Sequence, residues 1–156
     1  MADTRLYPIG RTTPKSRVTQ GTQIDFGVVK CQRTRATTAQ VNAGLTLLPA
    51  LPGVKWRILD AEMIAIGGAA ATATSVDLLG TKSAAASRPL VVAVAALTRS
   101  ALVRMGGANA TILADGDSFT AHDVNTAISV TKQSGGSNLA TATAIDVILT
   151  YVADAP

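Results

Sequence analysis

The alternation of apolar and polar residues in the C-terminal segment, residues 141–152, constrains the fold of this chain more than any other feature. Asp146 and Thr150 lie in one phase of the alternation. The other phase contains Thr141, Thr143, Ile145, Val147, Leu149 and Tyr151. A period of two residues puts such a set on one face of an extended strand. We therefore predict a half-buried β-strand with Asp146 and Thr150 on the other face.

Short segments rich in β-branched residues recur along the chain and predict further strands. These segments are residues 23–31, 45–53, 55–66, 74–79, 90–97, 101–105, 110–114 and 127–131. In the third of them, Trp56 and Ile58 lie in the opposite phase to Leu59 and Met63, which predicts a β-bulge or a change of buried face near Ile58. About eight strands with short connections and no regular alternation with long helices favour an all-β fold, a jelly-roll-like β-sandwich.

Glycine and polar residues separate the predicted strands and mark turns. The predicted turns are residues 80–82, 106–107, 115–117 and 135–136. Two other segments have no clear period of two. Residues 34–43 predict one or two helical turns that end at Gly44, whereas residues 81–89 fit either a helical turn or a loop.

The N-terminal segment has a different composition from the rest of the chain. Residues 1–23 contain Pro, Gly, Thr, Ser and basic residues, with too few apolar residues to form a core. We predict an extended basic N-terminal arm over residues 1–23 and a β-sandwich domain over residues 24–156. Residues 1–35 contain seven basic and two acidic residues, so the positive charge is concentrated near the N-terminus. Such an arm either binds an acidic surface or nucleic acid, or is a solvated leader.

Residue types that carry catalysis or bind metals are sparse. His122 is the only histidine and Cys31 the only cysteine, which falls short of the three or four nitrogen or sulfur donors of a zinc site. We therefore interpret His122 as part of a polar loop. Asp115 and Asp117 resemble the opening of a calcium loop, but the later acidic ligands are missing. Cys31 has no recognisable base beside it. We predict no catalytic residue, metal or cofactor.

Other binding chemistry is equally weakly indicated. Asp60 and Glu62 are two residues apart and so lie on one face of a predicted strand. This placement favours a solvated or subunit-facing edge over acid–base catalysis. The glycine-rich segments lack the Lys-Ser/Thr ending of a phosphate loop, and no nucleic-acid recognition module is present. No apolar stretch reaches the roughly 18 residues that span a bilayer. A solitary cysteine excludes an intrachain disulfide framework. We predict a non-enzymatic protein with no membrane and no specific nucleic-acid partner.

The stretch VNAGLTLLPALPGVKWRILDAEMIAIGGAAATATSVDLLGT resembles the capsid decoration, or cement, proteins of tailed bacteriophages. The resemblance continues through LVVAVAALTRSALVRMG and the ending LATATAIDVILTYVAD, and so covers about residues 41–153. It implies a jelly-roll body that forms homotrimers on the outside of an icosahedral head and ties neighbouring major capsid protein subunits together. It also implies a location on the capsid outer surface of the virion. The N-terminal segment has no apolar core of the secretory kind and Cys31 is solitary, which predicts synthesis in the host cytoplasm.

Arms of such proteins extend over adjacent capsid subunits, so basic and apolar arm residues are expected to contact the capsid. These residues are Arg5, Leu6, Tyr7, Ile9, Arg11, Lys15 and Arg17. Two other functions stay open. One is a head fibre base or tail structural protein. The other is a carbohydrate-binding jelly roll for host attachment, which an aromatic content of 3% disfavours.

Overall fold

The computed structural model describes residues 24–99 and 101–156. Nine β-strands make up about half of this part of the chain. They are β1 (Val29–Thr37), β2 (Leu45–Leu48), β3 (Lys55–Ile66), β4 (Ser75–Lys82), β5 (Ala85–Ala93), β6 (Leu102–Arg104), β7 (Ala110–Thr111), β8 (Ile128–Lys132) and β9 (Ala144–Asp154). The helices are short: α1 (Thr38–Ala43) and two 3-10 helices, Val94–Ala96 and Ala114–Phe119.

The strands form two antiparallel sheets that pack as a sandwich. The four-stranded sheet has the order β1-β9-β3-β6, and the five-stranded sheet has the order β2-β8-β4-β5-β7. The pairings are nested: β1 pairs with β9, β2 with β8, β3 with β6, and β4 with β5. Such nesting arises when one long antiparallel hairpin is rolled into two sheets, which is the jelly-roll topology. The prediction of an all-β, jelly-roll-like sandwich is confirmed, with β7 as an additional short edge strand.

The core lies between the two sheets and excludes water from their facing sides. Met63 of β3 and Leu149 of β9 are among its fully buried side chains. At one end, Trp56 meets Tyr151 edge-on, with ring centroids 5.7 Å apart, and its Nε1 donates to the carbonyl oxygen of Pro49 at 2.9 Å. Burial of these apolar groups is the main force that holds the sheets together. The outer faces of the sheets are therefore the surfaces available for function.

The change of phase predicted in the third strand is confirmed. The pairing of β3 with β9 shifts register between Ile58 and Asp60, with Leu59 as the extra residue. A bulge of this kind changes the phase of the strand, so residues before and after it can face the same way. Trp56 and Ile58 before the bulge and Ala61 after it therefore all face the core. Asp60 and the residues in phase with it consequently face outward.

The first strand lies further along the chain than the predicted segment 23–31. Gly27 has a φ of 74°, and its N–H donates to the carbonyl oxygen of Ala153 at 2.9 Å, which turns the chain before β1. All nine residues of β1 then pair with β9. The predicted helical segment 34–43 is shortened for the same reason, because residues 34–37 pair in β1. The prediction that Gly44 ends the helix is confirmed, with φ at 87°.

Several other predicted strands differ in extent from the observed ones. Segment 90–97 stops being a strand at Ala93, where a 3-10 helix begins. Segment 110–114 is a strand over Ala110–Thr111 alone, because β5 offers it partners only at Val91 and Val92. In segment 141–152, Thr141 and Thr143 precede the strand, which begins at Ala144 and continues to Asp154. The predicted buried phase is confirmed by Ile145, Val147 and Leu149.

The tight turn between β4 and β5 lies at Ser83 and Ala84, so the prediction of a turn at residues 80–82 is wrong. Both residues have positive φ, 51° and 62°, as in a type I′ hairpin turn. The carboxylate of Asp123 accepts hydrogen bonds from Ser83 N at 3.0 Å and Ala84 N at 2.8 Å. These bonds, chiefly that from Ala84, lower the pKa of Asp123. Segment 81–89 is therefore a hairpin, neither a helical turn nor a loop.

Replacing Ala84 with glycine is expected to stabilise the protein by about 1 kcal/mol, because a side chain at positive φ costs about 1–2 kcal/mol and glycine avoids this cost. Thermal unfolding followed by circular dichroism should give a higher Tm for Ala84→Gly than for the parent. Ala86→Gly is the matched control, since Ala86 is an exposed alanine in β5 and glycine weakens a strand. A Tm for Ala84→Gly at or below that of the parent would contradict the strain at this turn.

The glycine turns at residues 106–107 and 135–136 are confirmed. Gly107 N donates to the carbonyl oxygen of Arg104 at 2.9 Å, and Gly136 N donates to that of Gln133 at 3.2 Å. Residues 115–117 lie within the second 3-10 helix, which is interrupted by positive φ at Asp115 (54°) and at the glycine after it (76°). The chain therefore also reverses sharply there, as predicted.

Candidate interaction surface

The predicted arm contacts lie outside the described residues. They are Arg5, Leu6, Tyr7, Ile9, Arg11, Lys15 and Arg17. The described chain begins at Ile24, shortly before β1, which is an edge strand of the four-stranded sheet.

Arginines and carboxylates alternate across the outer face of the four-stranded sheet. This set, named the arginine face, comprises Arg33, Arg35, Arg57 and Arg104 with their partners Asp60, Glu62, Asp146 and Asp154. The strand register explains the arrangement. Arg33 lies opposite Ile148, Ile148 opposite Glu62, and Glu62 opposite Arg104. Directly opposed residues share one face of a sheet, so the row spans all four strands.

Asp146 of β9 binds two arginines of β1 at once. Arg35 Nε and Nη2 donate to its Oδ1 and Oδ2 at 2.7 Å and 2.9 Å, and Arg33 Nε donates to Oδ2 at 2.8 Å. The hydrogen bond from Arg35 is the main cause that lowers the pKa of Asp146 from 3.8 to about 2, against the opposing effect of burial. Asp146 lies on the predicted face, yet its side chain is fully buried because the two guanidinium groups cover it.

The remaining pairs of the arginine face are more open to solvent. Arg104 Nε lies 2.9 Å from Asp60 Oδ2 and 3.6 Å from Glu62 Oε1. Arg57 Nη2 lies 2.7 Å from Oδ2 of Asp154, the last residue of β9. Asp60 and Glu62, predicted to share one face of a strand, do so on the outer side of β3.

Guanidinium groups dominate what the arginine face presents to solvent. The four arginine side chains are 43–64% exposed, whereas the carboxylate side chains paired with them are 0–25% exposed. A guanidinium has five N–H donors, and these pairs use only some of them. The face therefore offers oriented donors to carboxylates or carbonyl oxygens of a partner.

Exposed apolar side chains lie beside the arginines. Val29 and Leu102 are 60% and 53% exposed, and both lie on the outer side of the four-stranded sheet. The exposed Cys31 lies between Val29 and Arg33 on the outer side of β1. Protein–protein interfaces are typically enriched in arginine and apolar at their centre. We interpret the arginine face and these apolar side chains as one interaction surface.

His122 is not part of a polar loop in the sense predicted, because its ring is 1% exposed and packs into the core against Gly80. Among the residues that the structure describes, neither ring nitrogen has a hydrogen-bond partner. Burial is the main cause that lowers the pKa of His122, and the positive charge of Lys82 lowers it further. The ring therefore serves as packing volume in its neutral form.

The acidic loop between β7 and β8 is held by other contacts. Asp117 Oδ1 accepts a hydrogen bond from Lys82 Nζ at 2.8 Å, and this bond lowers the pKa of Asp117. Within residues 24–99 and 101–156, no group of three or more His, Cys, Asp or Glu side chains is placed to hold a metal ion. In the same part of the chain, no helix combines the length and the apolar character needed to cross a membrane.

Sequence reasoning missed the arginine face as a unit. From the sequence, Arg33 and Arg35 belong to the basic N-terminal region, whereas in the structure both belong to β1. Their spacing of two residues, which places them on one side of a strand, is the signal that could have found them. Arg57 and Arg104 carry no such signal, because only strand pairing brings them to this surface.

Together, the fold and this surface define a jelly-roll β-sandwich with an arginine-rich outer face. No protein-family model matches the chain, and no curated protein matches it. Among solved structures, the chain is similar to one described as the capsid of Ralstonia phage GP4, with 21% identity and a TM-score of 0.45. The alignment covers 85% of this chain and 88% of that chain.

Proposed function

We propose that this protein is a non-enzymatic structural virion protein that binds the outside of an icosahedral phage head and cements it by bridging major capsid protein subunits. The observation that carries the proposal is the arginine face, with its exposed guanidinium groups and neighbouring apolar side chains. Surfaces of this composition bind other proteins. The sequence resemblance of residues 41–153 to capsid decoration proteins supports a capsid partner.

The pairing within the arginine face favours rigid docking. Arg33 and Arg35 are each held by Asp146, so their side chains lose little further rotamer freedom when a partner binds. Their remaining N–H groups then meet carboxylates or carbonyl oxygens of a capsid subunit. Val29 and Leu102 contribute apolar contact beside them.

The arm supplies a second contact in this proposal. Residues 1–23 contain four basic residues and one acidic residue, and a fully extended segment of this length spans at most about 80 Å. That reach allows the arm to contact a neighbouring capsid subunit while the arginine face binds the first. Two linked contacts, repeated in a homotrimer, raise the overall affinity because the later contacts are intramolecular.

Head binding is expected to protect Cys31 from thiol reagents, because this single cysteine lies on the arginine face. Maleimide labelling should be at least about tenfold slower for protein bound to heads than for free protein, since reactivity requires access to the thiol. Heads of the encoding phage that lack the protein, reloaded with purified protein, provide the bound sample.

The matched control is the variant Cys31→Ser/Thr46→Cys, whose thiol lies at an exposed position of β2 in the other sheet. Its labelling rate should be the same in free and head-bound protein. Equal labelling of Cys31 in the two states would overturn docking through the arginine face. Protection by purified tails, with none by heads, would instead support the tail structural alternative.

A further inference from the structure

The outer face of the five-stranded sheet has a depression of about 310 Å³ that differs in chemistry from the arginine face. Its lining combines hydroxyl groups, side-chain amides, one carboxylate and one guanidinium. These groups belong to Thr74, Ser75, Asp77, Arg88, Asn109 and Gln133. A volume of this size falls within the range of small-molecule sites. We propose that the depression binds an uncharged oligosaccharide.

A buried aspartate forms part of the floor of the depression. Val76 and Leu78 face the core, so Asp77 between them faces outward, yet its side chain is fully buried. Ser75 Oγ donates to Asp77 Oδ1 at 2.6 Å, and Arg88 Nη1 donates to Oδ2. A carboxylate held by two donors has a set orientation, and it in turn fixes the Ser75 hydroxyl and the Arg88 guanidinium in the lining of the depression.

A β-bulge in β5 directs Arg88 to this position. Leu78 pairs with Leu90, but Gly80 pairs with Ser87, so two residues of β5 lie opposite one residue of β4. Such bulges redirect a side chain, here that of Arg88, across the sheet. The Arg88 side chain is 34% exposed. The N–H donors that Asp77 does not use therefore border the depression.

The charges of the lining favour a neutral ligand. Asp77 and Arg88 offset each other, and the other residues that line the depression are not ionisable. An anion would meet the carboxylate of Asp77 and a cation the guanidinium of Arg88. A sugar ring instead offers hydroxyl groups that both donate and accept. Its C–H face can contact the apolar side chains of Val91 and Ala93, which take the place of an aromatic ring in this lining.

A second depression indicates a ligand longer than one sugar. It has a volume of about 280 Å³ and shares Arg88 and Gln133 with the first. Asn42, Thr131 and Ser134 give it further amide and hydroxyl groups, and Lys132, which also lines it, donates from its ammonium group to the carbonyl oxygen of Gly136. An oligosaccharide could therefore place one ring in each depression, with Arg88 and Gln133 between them.

The two outer faces of a sandwich point in opposite directions. If the arginine face binds the head, this depression faces away from it, toward molecules outside the virion. That orientation rests on the proposed function, whereas sugar binding itself does not. A test on the isolated protein therefore fails or succeeds independently of head binding.

The experiment is a glycan array of neutral and charged oligosaccharides, including repeat units of bacterial surface polysaccharides, probed with the labelled full-length protein. We expect binding to neutral glycans. With the best-bound glycan in solution, Thr111→Arg should bind at least about tenfold more weakly, which corresponds to about 1.4 kcal/mol, because the new side chain fills the first depression. Thr46→Arg, the same change at an exposed position of the same sheet outside both depressions, should bind like the parent.

Gln133→Ala provides a second variant and should weaken binding several-fold, because this amide borders both depressions. It keeps the test decisive if Thr111→Arg fails to fold, as judged by circular dichroism. No glycan binding by the parent, binding to charged glycans alone, or unchanged binding by the folded variants would each overturn the proposal.

Discussion

Replacing Arg33 and Arg35 together with methionine is expected to lower the free energy of unfolding at neutral pH by on the order of 3 kcal/mol. Methionine retains a long apolar side chain over Asp146 but removes all the donors that this fully buried carboxylate uses. The variant therefore leaves a buried charge without a partner, which is the costly way to break an ion pair. Chemical denaturation at neutral pH measures the loss.

The pH dependence gives this prediction a second measurement. In the parent, the pKa of Asp146 is lowered from 3.8 to about 2, so its pairing contributes stability above pH 3.8 that is lost as the pH falls toward 2. That contribution is at most on the order of 2 kcal/mol, because the two arginine side chains are more than half exposed and solvent screens their charge. In the double variant the buried carboxyl favours its neutral form, so its destabilisation shrinks as the pH falls. The difference in stability between parent and variant should therefore narrow on acidification.

Two further variants control for the loss of surface charge. Arg57→Met removes an arginine of the same face whose partner, Asp154, stays partly solvated, and should cost no more than about 1 kcal/mol. Adding Asp146→Leu to the double variant should recover stability, because it removes the unpaired buried charge. A loss of stability smaller than that of Arg57→Met would contradict the conclusion that Asp146 is buried and depends on its two arginines. So would a triple variant that recovers no stability.

Replacing Gly80 with alanine is expected to destabilise the protein by about 2–3 kcal/mol through overpacking. A Cβ atom at this position would lie 2.4 Å from His122 Nδ1, 2.5 Å from His122 Cε1 and 2.8 Å from Ile128 Cδ1. The His122 ring is almost fully buried, so it cannot move aside without disturbing the core. Denaturant unfolding should give a lower midpoint than that of the parent.

A double-mutant cycle identifies the clash as the cause. His122→Ala removes the ring, so Gly80→Ala should cost much less in that background than in the parent. Gly136→Ala is the control for glycine replacement, since its nearest contact would be the carbonyl oxygen of Gln133 at 3.3 Å and little change is expected. Additive losses in the cycle would rule out His122 as the obstacle.

The strands were predictable where apolar and polar residues alternate with a period of two, because this alternation determines which side chains are buried. This holds for the end of the chain, where Ile145, Val147 and Leu149 are buried as predicted, and for the bulge near Ile58. It fails at Gly80. A glycine followed by Thr and Lys is typical of a turn. This glycine lies within β4, however, because the strand continues to pair as far as Lys82, and the His122 ring occupies the space that a side chain at position 80 would need.

The candidate surface was less accessible to sequence reasoning. The sequence directs attention to the basic residues before β1, and the proposed arm contacts among them remain a prediction. Asp60 and Glu62 were correctly placed on one side of a strand, but nothing near them in sequence indicates Arg104. That arginine follows Asp60 by 44 residues. Such a pair depends on which strands become neighbours.

The sequence by itself determined that this is an all-β protein with short strands, glycine turns and alternating buried positions, because strand periodicity and turn conformation are local properties. Tertiary structure alone decided that β1 and β9 pair, and that Arg33 and Arg35 therefore cover Asp146, which lies 113 and 111 residues away in the chain. The physical reason is that register between distant strands is set by packing of the whole sandwich. Because of that packing, Asp146 is buried and binds two arginines, although it lies on the outward phase of its strand.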